Sequence, residues 1–444
     1  MKKKLIYFFI GFIILVLLAY LLRYKTGADF KNKIPTNATA IVNVDLRQLE
    51  HHFLVDFISN PSLYLKSSKS SKKDTVTVKD KPSLFKAVEI PKNILFYAKN
   101  NNNSTWISSK LTVKNKKQFT DFLINSNFKP LLLKEFSVFT KQLISILIND
   151  THAIITYNVN SNDYKSLFNE STYLSSTSLL FKKLKKSKSA ICYVSESNDF
   201  LETNFKVNTI EIKGAIQTDL FKNTNTNIDT NAIGIISTNL NTESQVFKNL
   251  INTVDKSKFK SNTKLSIDSL IAKWNGSLYF NLNSFKIKTD TIKTYEYDDD
   301  FNKIETIKTQ KTSNPDFILS LGNNNSKTIY NYLEKEKSIK IVGKDTIFVS
   351  LPIVKTFANN AINHTNLFTS KTLRTNTKTT DNKLFVDFNF KEYRNKTKNT
   401  LFYYFNKIDA IEKGQLSISK KNELLFKLEM KDKNRNALVQ LIKN

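Results

Sequence analysis

The side chains of this chain that could do chemistry are few. Four histidines stand at His51, His52, His152 and His364, the one cysteine is Cys192, and three carboxylates run together at Asp298, Asp299 and Asp300. No two histidines have the i, i+4 spacing that lets a helix present two imidazoles to one metal ion. His51 and His52 diverge by about 100° on a helix. His52 and Asp56 fall one turn apart, a spacing that suits a surface or helix-stabilising pair far better than a catalytic dyad. Cys192 lies in Ile191-Cys192-Tyr193-Val194, an apolar strand pattern without a cationic or histidine neighbour to activate a thiolate.

Other constellations fail on composition. The Asp298 to Asp300 run lacks the alternating ligands and turn glycine of a calcium loop, and reads as a solvated turn. Eight glycines, Gly11, Gly27, Gly214, Gly234, Gly276, Gly322, Gly343 and Gly414, are too scattered to cradle a phosphate or form a Gly-x-Ser-x-Gly elbow. Trp106 and Trp274 sit in strand-like contexts and read as core or module-interface residues rather than sugar-stacking platforms. The expectation is therefore no catalytic, cofactor-binding or metal residue. An enzyme whose site assembles from distant residues remains the alternative.

The strongest positional signal is the unbroken apolar run Leu5 to Leu22 behind Met1-Lys2-Lys3-Lys4. As a helix it reaches about 27 Å, close to the thickness of a hydrocarbon core. It is longer than the apolar region of a cleaved signal, and it ends at Arg23 and Lys25, with Thr26-Gly27-Ala28 beyond those charges as the one weak small-x-small candidate. The expectation is a retained single-pass helix that places the lipid bilayer first among the partners. Lysines on one side are nearly balanced by Arg23, Lys25, Lys31 and Lys33 on the other, so orientation rests on the long following body. Residues 1–4 are expected in the cytoplasm, 5–22 in the membrane, 23–33 as linker and the rest outside.

The 444 residues carry a net charge of +29. Nearly all of it is lysine, with arginine only at Arg23, Arg47, Arg374, Arg394 and Arg435, whereas bidentate phosphate and base recognition favours arginine. Nucleic acid is excluded as the expected partner. A solvated surface, or attraction to anionic lipid or acidic glycan, fits better. The densest cluster, Lys182 to Lys188, suits a helix C-terminus. One cysteine gives no internal disulfide, so the body rests on core packing.

The elements follow from periodicity. A strand from Ala38 leads into Asp45 and Gln48 at capping-box spacing, then Leu46, Leu49, Phe53 and Phe57 as one apolar helical face ending near Asn60-Pro61. The pattern Ile34-Pro35-Thr36-Asn37-Ala38 through Leu46 returns as Ile228 through Leu240, with Phe247 opposite Phe53. This predicts an α+β body of two tandem related modules, 34–225 and 226–444, each an antiparallel sheet with helices on one face. A second unit, hairpin then polar cap then helix, occurs at Ile94 to Val113 with cap Asn115, and again at Leu416 to Met430 with cap Asp432. A third copy runs from Phe317 to Leu333. Lys66 to Lys81 reads as a surface loop, and Phe285 to Tyr297 with Ile304 to Thr312 as a long hairpin.

The lysine-tipped anchor followed by Ile34-Pro35-x-x-Ala38-x-Ala40-Ile41-Val42-x-Val44-Asp45-Leu46 resembles uncharacterised bacterial membrane-anchored envelope proteins with this opening strand-and-helix motif. The resemblance covers the first sixty residues and implies a bacterial inner-membrane protein with a periplasmic ectodomain. The expected function is non-enzymatic binding or scaffolding of another envelope component. The rival is a salt-sensitive binder of anionic lipid or acidic glycan.

Overall fold

Alternating apolar residues fold much of the described chain into antiparallel strands, because successive side chains of an extended backbone leave opposite faces. The computed structural model describes residues 33–65, 84–101, 104–132, 136–168, 172–175, 177–223, 225–229, 232–324, 328–350, 354–361, 363–370, 377–397 and 409–443. The tail 1–4, the apolar run Leu5 to Leu22, the linker up to residue 32 and the Lys66 to Lys81 stretch lie outside the described residues. Among the described residues, no helix is long and apolar enough to cross a membrane. The chain divides into two units, Met1–Phe205 and Lys206–Asn444. Both are α+β with antiparallel sheet.

The first unit contains β1 (Ala40–Asp45), β2 (Asn93–Asn101), β3 (Ser104–Thr112), β4 (Lys129–Leu132), β5 (Ser137–Lys141), β6 (Ile144–Ile148), β7 (His152–Tyr157), β8 (Ile191–Ser195) and β9 (Phe200–Lys206). Their order is β4-β5-β6-β7-β3-β2-β1-β8-β9. Its helices include α1 (Leu46–Ser59), α2 (Lys116–Asn125), α3 (Tyr164–Phe168) and α4 (Leu179–Lys186). Capping works as the sequence implies: Asp45 accepts from the Gln48 N–H and Asn115 from the Gln118 N–H, each at 3.0 Å.

Val138, Leu147 and Ile154 leave one face of this sheet and pack with Leu167, Phe181 and Leu184 of α3 and α4. Phe139, Ile146, Ile148 and Ala153 leave the other and pack with Phe119 and Leu123 of α2. Helices therefore cover both faces, not the single face expected. The sequence of β6, Ile144-Ser145-Ile146-Leu147-Ile148, gives the reason, because it is apolar on both sides and needs two covers.

The second unit contains β10 (Thr209–Ala215), β11 (Thr226–Asp229), β12 (Gly234–Asn239), β13 (Trp274–Tyr297), β14 (Lys303–Asn323), β15 (Ile339–Val342), β16 (Asp345–Phe348), β17 (Thr356–Ala361), β18 (His364–Phe368), β19 (Thr377–Thr380), β20 (Asn382–Asn389), β21 (Ile411–Ser419) and β22 (Glu423–Met430). The order is β15-β16-β17-β18-β14-β13-β12-β20-β21-β22-β10, with β11 and β19 forming a separate pair. Helices α5 (Gln245–Asn252), α6 (Ile329–Lys335), α7 (Phe390–Thr397) and α8 (Ala437–Lys443) pack on it.

Nine strands of the second unit, from β15 to β21, stand in the same order as β4 to β9 of the first. In that correspondence β12 answers β1, the hairpin β13–β14 answers β2–β3, and α6 answers α2. The two hairpins differ in length: β2 has 9 residues and β13 has 24. The helix after β12 starts late, since Ser244 caps α5, so residues 240–243 do not continue the helical match with α1. At the carboxyl end, Asp432 accepts from the Asn434 N–H and closes a turn, while Asn436 accepts from the Leu438 N–H at the start of α8. The expected cap at Asp432 thus moves to Asn436, one residue before the helix, where a cap oxygen reaches the first free amides.

Candidate interaction surface

The one local constellation expected from the sequence lies on α1. Asp56 is buried and its carboxylate accepts from the Tyr64 hydroxyl at 2.6 Å. The His52 ring stands edge-on to Phe205 at 6.0 Å, and burial, then His51, holds its pKa below the ordinary histidine value. That is helix packing around a buried acid. Of the apolar face Leu46, Leu49, Phe53 and Phe57, the first three are half-buried and Phe57 is exposed. Asp56 takes the inward position, and Leu54, Val55, Phe57 and Ile58 face solvent.

Cys192 is fully buried in β8, and desolvation pushes its thiol up to about 11, the opposite of nucleophile activation. Trp274 packs against Phe247 of α5 at 6.1 Å and donates its indole N–H to the Ser277 carbonyl at 2.7 Å, a core role. Lys183, Lys185 and Lys186 occupy the last turn of α4, as the lysine cluster implied. Among the described residues, no group of three or more His, Cys, Asp or Glu side chains could hold a metal ion.

The described residues line polar cavities in each unit. In the first unit a cavity of about 50 Å³ is lined by Lys33, Tyr97, Lys110, His152 and Tyr173 among others. Lys110 donates to the Tyr173 hydroxyl at 3.3 Å, and His152 shares a 2.6 Å hydrogen bond between Nδ1 and the Thr151 hydroxyl. Burial and then Lys110 hold the His152 pKa below its ordinary value. Sequence reading missed this cluster, because Lys110 and His152 meet only through the non-local pairing of β3 with β7. In the second unit a cavity of about 250 Å³ is lined by hydroxyls and amides including Ser237, Asn239, Tyr279 and Ser320.

The most distinctive feature is the outer part of β13–β14. From Phe285 opposite Pro315 to Tyr297 opposite Lys303, thirteen successive residue pairs form a two-stranded ribbon, about 40 Å long at roughly 3.4 Å per residue. Among the described residues, β12 pairs with β13 only as far as Leu282, and β18 pairs with β14 only from Ile318. Among the described residues, no strand lies beside either ribbon edge beyond those points. Thr294 and Thr306 share hydroxyls at 2.9 Å, Lys308 reaches Glu296 at 2.7 Å, and Lys293 pairs with Glu305. These cross-strand pairs hold the register.

The ribbon also exposes large apolar side chains. Phe301 at the tip is 85% exposed, Ile307 69% and Tyr297 67%, with Tyr295 and Ile304 about half open. At the tip, the Asp298 carboxylate accepts from the Asp300 and Asn302 N–H groups, and Phe301 takes φ 62°. The run of carboxylates thus makes a turn, as the sequence implied.

Comparison with known proteins adds little. No protein-family model matches the chain, and a search of curated proteins finds no match. Among solved structures, crystal form IV of TP0453 matches at 7% identity and a TM-score of 0.22, covering 76% of this chain and 92% of that one. Crystal form I of TP0453 matches at 8% identity and a TM-score of 0.21, covering 78% and 94%. Superposition at that level carries no argument about fold or function.

Proposed function

We propose that this chain is a non-enzymatic scaffold of the bacterial envelope, tethered to the inner membrane through Leu5 to Leu22, with the two α+β units as related modules in the periplasm. The ribbon beyond Phe285 makes its contact with another envelope component. One observation carries the reading. The first unit completes the same strand order with a hairpin of ordinary length, so the sheet does not need the extra thirteen pairs of β13–β14. An isolated two-stranded ribbon is marginal in water, and open strand edges with exposed aromatics are surfaces for pairing.

A photo-crosslinking residue placed at Tyr297 in growing cells tests this. Discrete adducts from Tyr297, and none from the same probe at Lys165 on α3, are the expected result. No adduct from Tyr297 under any growth state would remove the reading. A reporter active only outside the cytoplasm, fused near residue 60, checks the orientation.

The cationic cavity of the first unit favours a second reading, attraction of an anionic lipid headgroup or acidic glycan by Lys33 and Lys110. Binding of that kind weakens as salt screens the lysines. Affinity indifferent to ionic strength would exclude it.

A further inference from the structure

We infer that the ribbon of β13–β14 pairs with the same ribbon of a second copy of this chain, side by side and antiparallel, so that the two become a four-stranded sheet about a two-fold axis. This inference rests on the scaffold reading and names the partner.

Charge along the ribbon carries the argument. The inner segments, 285–289 and 309–315, contain Lys286, Lys288 and Lys311 and no acid, a net charge of +3, with Asp316 at the very base 3.5 Å from the Lys286 ammonium. The outer segment, 290–308, contains Lys293, Lys303 and Lys308 against Asp290, Glu296, Asp298, Asp299, Asp300 and Glu305, a net charge of −3. Two such ribbons laid antiparallel set each acidic outer half beside the basic inner half of the other. Laid parallel, they set like against like. Self-complementarity under a two-fold rotation is the requirement for an isologous dimer, and the ribbon meets it in charge and in length.

Backbone chemistry selects the edge. Pro315 removes a ladder donor from the β14 side at the ribbon base, and prolines are characteristic of edges kept from pairing. The β13 side has no proline from Phe285 to Tyr297. Pairing along β13 places the axis near Thr291, the middle of the ribbon. It brings Glu296 of one copy beside Lys286 of the other, and Tyr297 beside Phe285, which already stacks edge-on with Tyr393 at 5.5 Å. The tip fits this partner better than it fits a bilayer. Phe301 is exposed, but the three adjacent carboxylates would have to enter the headgroup region with it, at a large desolvation cost.

Position-specific disulfide trapping of the full-length chain in detergent tests the inference, in a Cys192→Ala background so that the introduced thiol is the sole one. Thr291→Cys lies at the axis and is expected to yield a disulfide-linked dimer under mild oxidation. Phe301→Cys is expected to stay monomeric, because the two tips lie about 40 Å apart in the antiparallel arrangement. Replacing Asp299→Lys and Asp300→Lys leaves the turn-forming Asp298 in place and turns the outer segment from −3 to +1. It is expected to weaken dimerisation about tenfold or more at low salt, an effect that ~0.5 M salt largely abolishes. Cross-linking at Phe301→Cys without Thr291→Cys overturns the arrangement. So does a blue-shifted fluorophore on Phe301→Cys in phosphatidylglycerol vesicles, which would place the tip in lipid. If Thr291→Cys fails while adducts from Tyr297 to a different protein persist, the second-copy inference falls and the scaffold reading stands. If both fail, both fall.

Discussion

Lys303 holds its ammonium 3.8 Å from the centroid of the Tyr295 ring, across the ribbon and two positions from the residue directly opposite. A cation over an aromatic face at an exposed site is worth about 0.5–1 kcal/mol. In a ribbon without flanking strands that is a large share of the local stability. Tyr295→Ala should therefore raise amide exchange a few-fold between residues 293 and 305 while leaving the melting of the body unchanged. Equal exchange in both proteins would show that the pair does not hold the tip.

Gly276 adopts φ +96°, and a Cβ built there would lie 1.9 Å from the Leu240 carbonyl oxygen. The same Gly276 carbonyl accepts from the Leu240 N–H at 2.8 Å, which joins the end of β12 to β13. Gly276→Ala meets both a strained backbone and a backbone clash, so a loss of about 2–3 kcal/mol is expected in denaturant unfolding of the full chain. Gly343 is the control. It also has positive φ, but nothing lies within 4 Å of a Cβ there, so Gly343→Ala should cost less.

Burial raises the Cys192 thiol from 9.0 to about 11. The unfolded chain releases this proton first as pH rises, so the folded state binds more protons between those values and stability must fall with pH across that window. Below about pH 9 the thiol contributes no slope. Cys192→Ala should flatten the alkaline loss between about pH 9 and 11, and a thiol reagent should label Cys192 only after denaturation. Rapid labelling of the folded protein would contradict the burial.

The cavity at Lys33 and Lys110 gives a separate prediction. Glycerol 1-phosphate, the headgroup chemistry of an anionic lipid, should raise the melting temperature of the full chain in detergent, since a ligand that binds only the folded state stabilises it. Lys110→Ala should remove the effect, and high salt should shrink it. Glucuronate run in parallel separates a glycan acid from a phosphate.

Much of the local structure was legible in the sequence because it is set by neighbours in the chain. Asp45 and Asn115 cap their helices through side chains three residues from the amides they bind, and the long hairpin showed in its alternation from Phe285 to Thr312. Contacts between distant segments were not legible. The inward position of Asp56 depends on the Tyr64 hydroxyl, and the second cover on the first sheet depends on α2 returning over Ile146 and Ile148. The cluster of Lys110 with His152 required the pairing of β3 with β7. Periodicity foretold the ribbon as a hairpin. Its freedom from flanking strands became visible only when β12 and β18 were seen to stop at Leu282 and Ile318.

The most direct test of the account in which the ribbon joins two copies of the chain is the native mass of the full-length protein in mild detergent, compared with a variant in which residues 287–313 are replaced by Asn-Gly. The account predicts an assembly for the natural chain and a single chain for the shortened one, with the same cooperative unfolding of the body in both. Two proteins of identical assembly state, each fully folded, would contradict it.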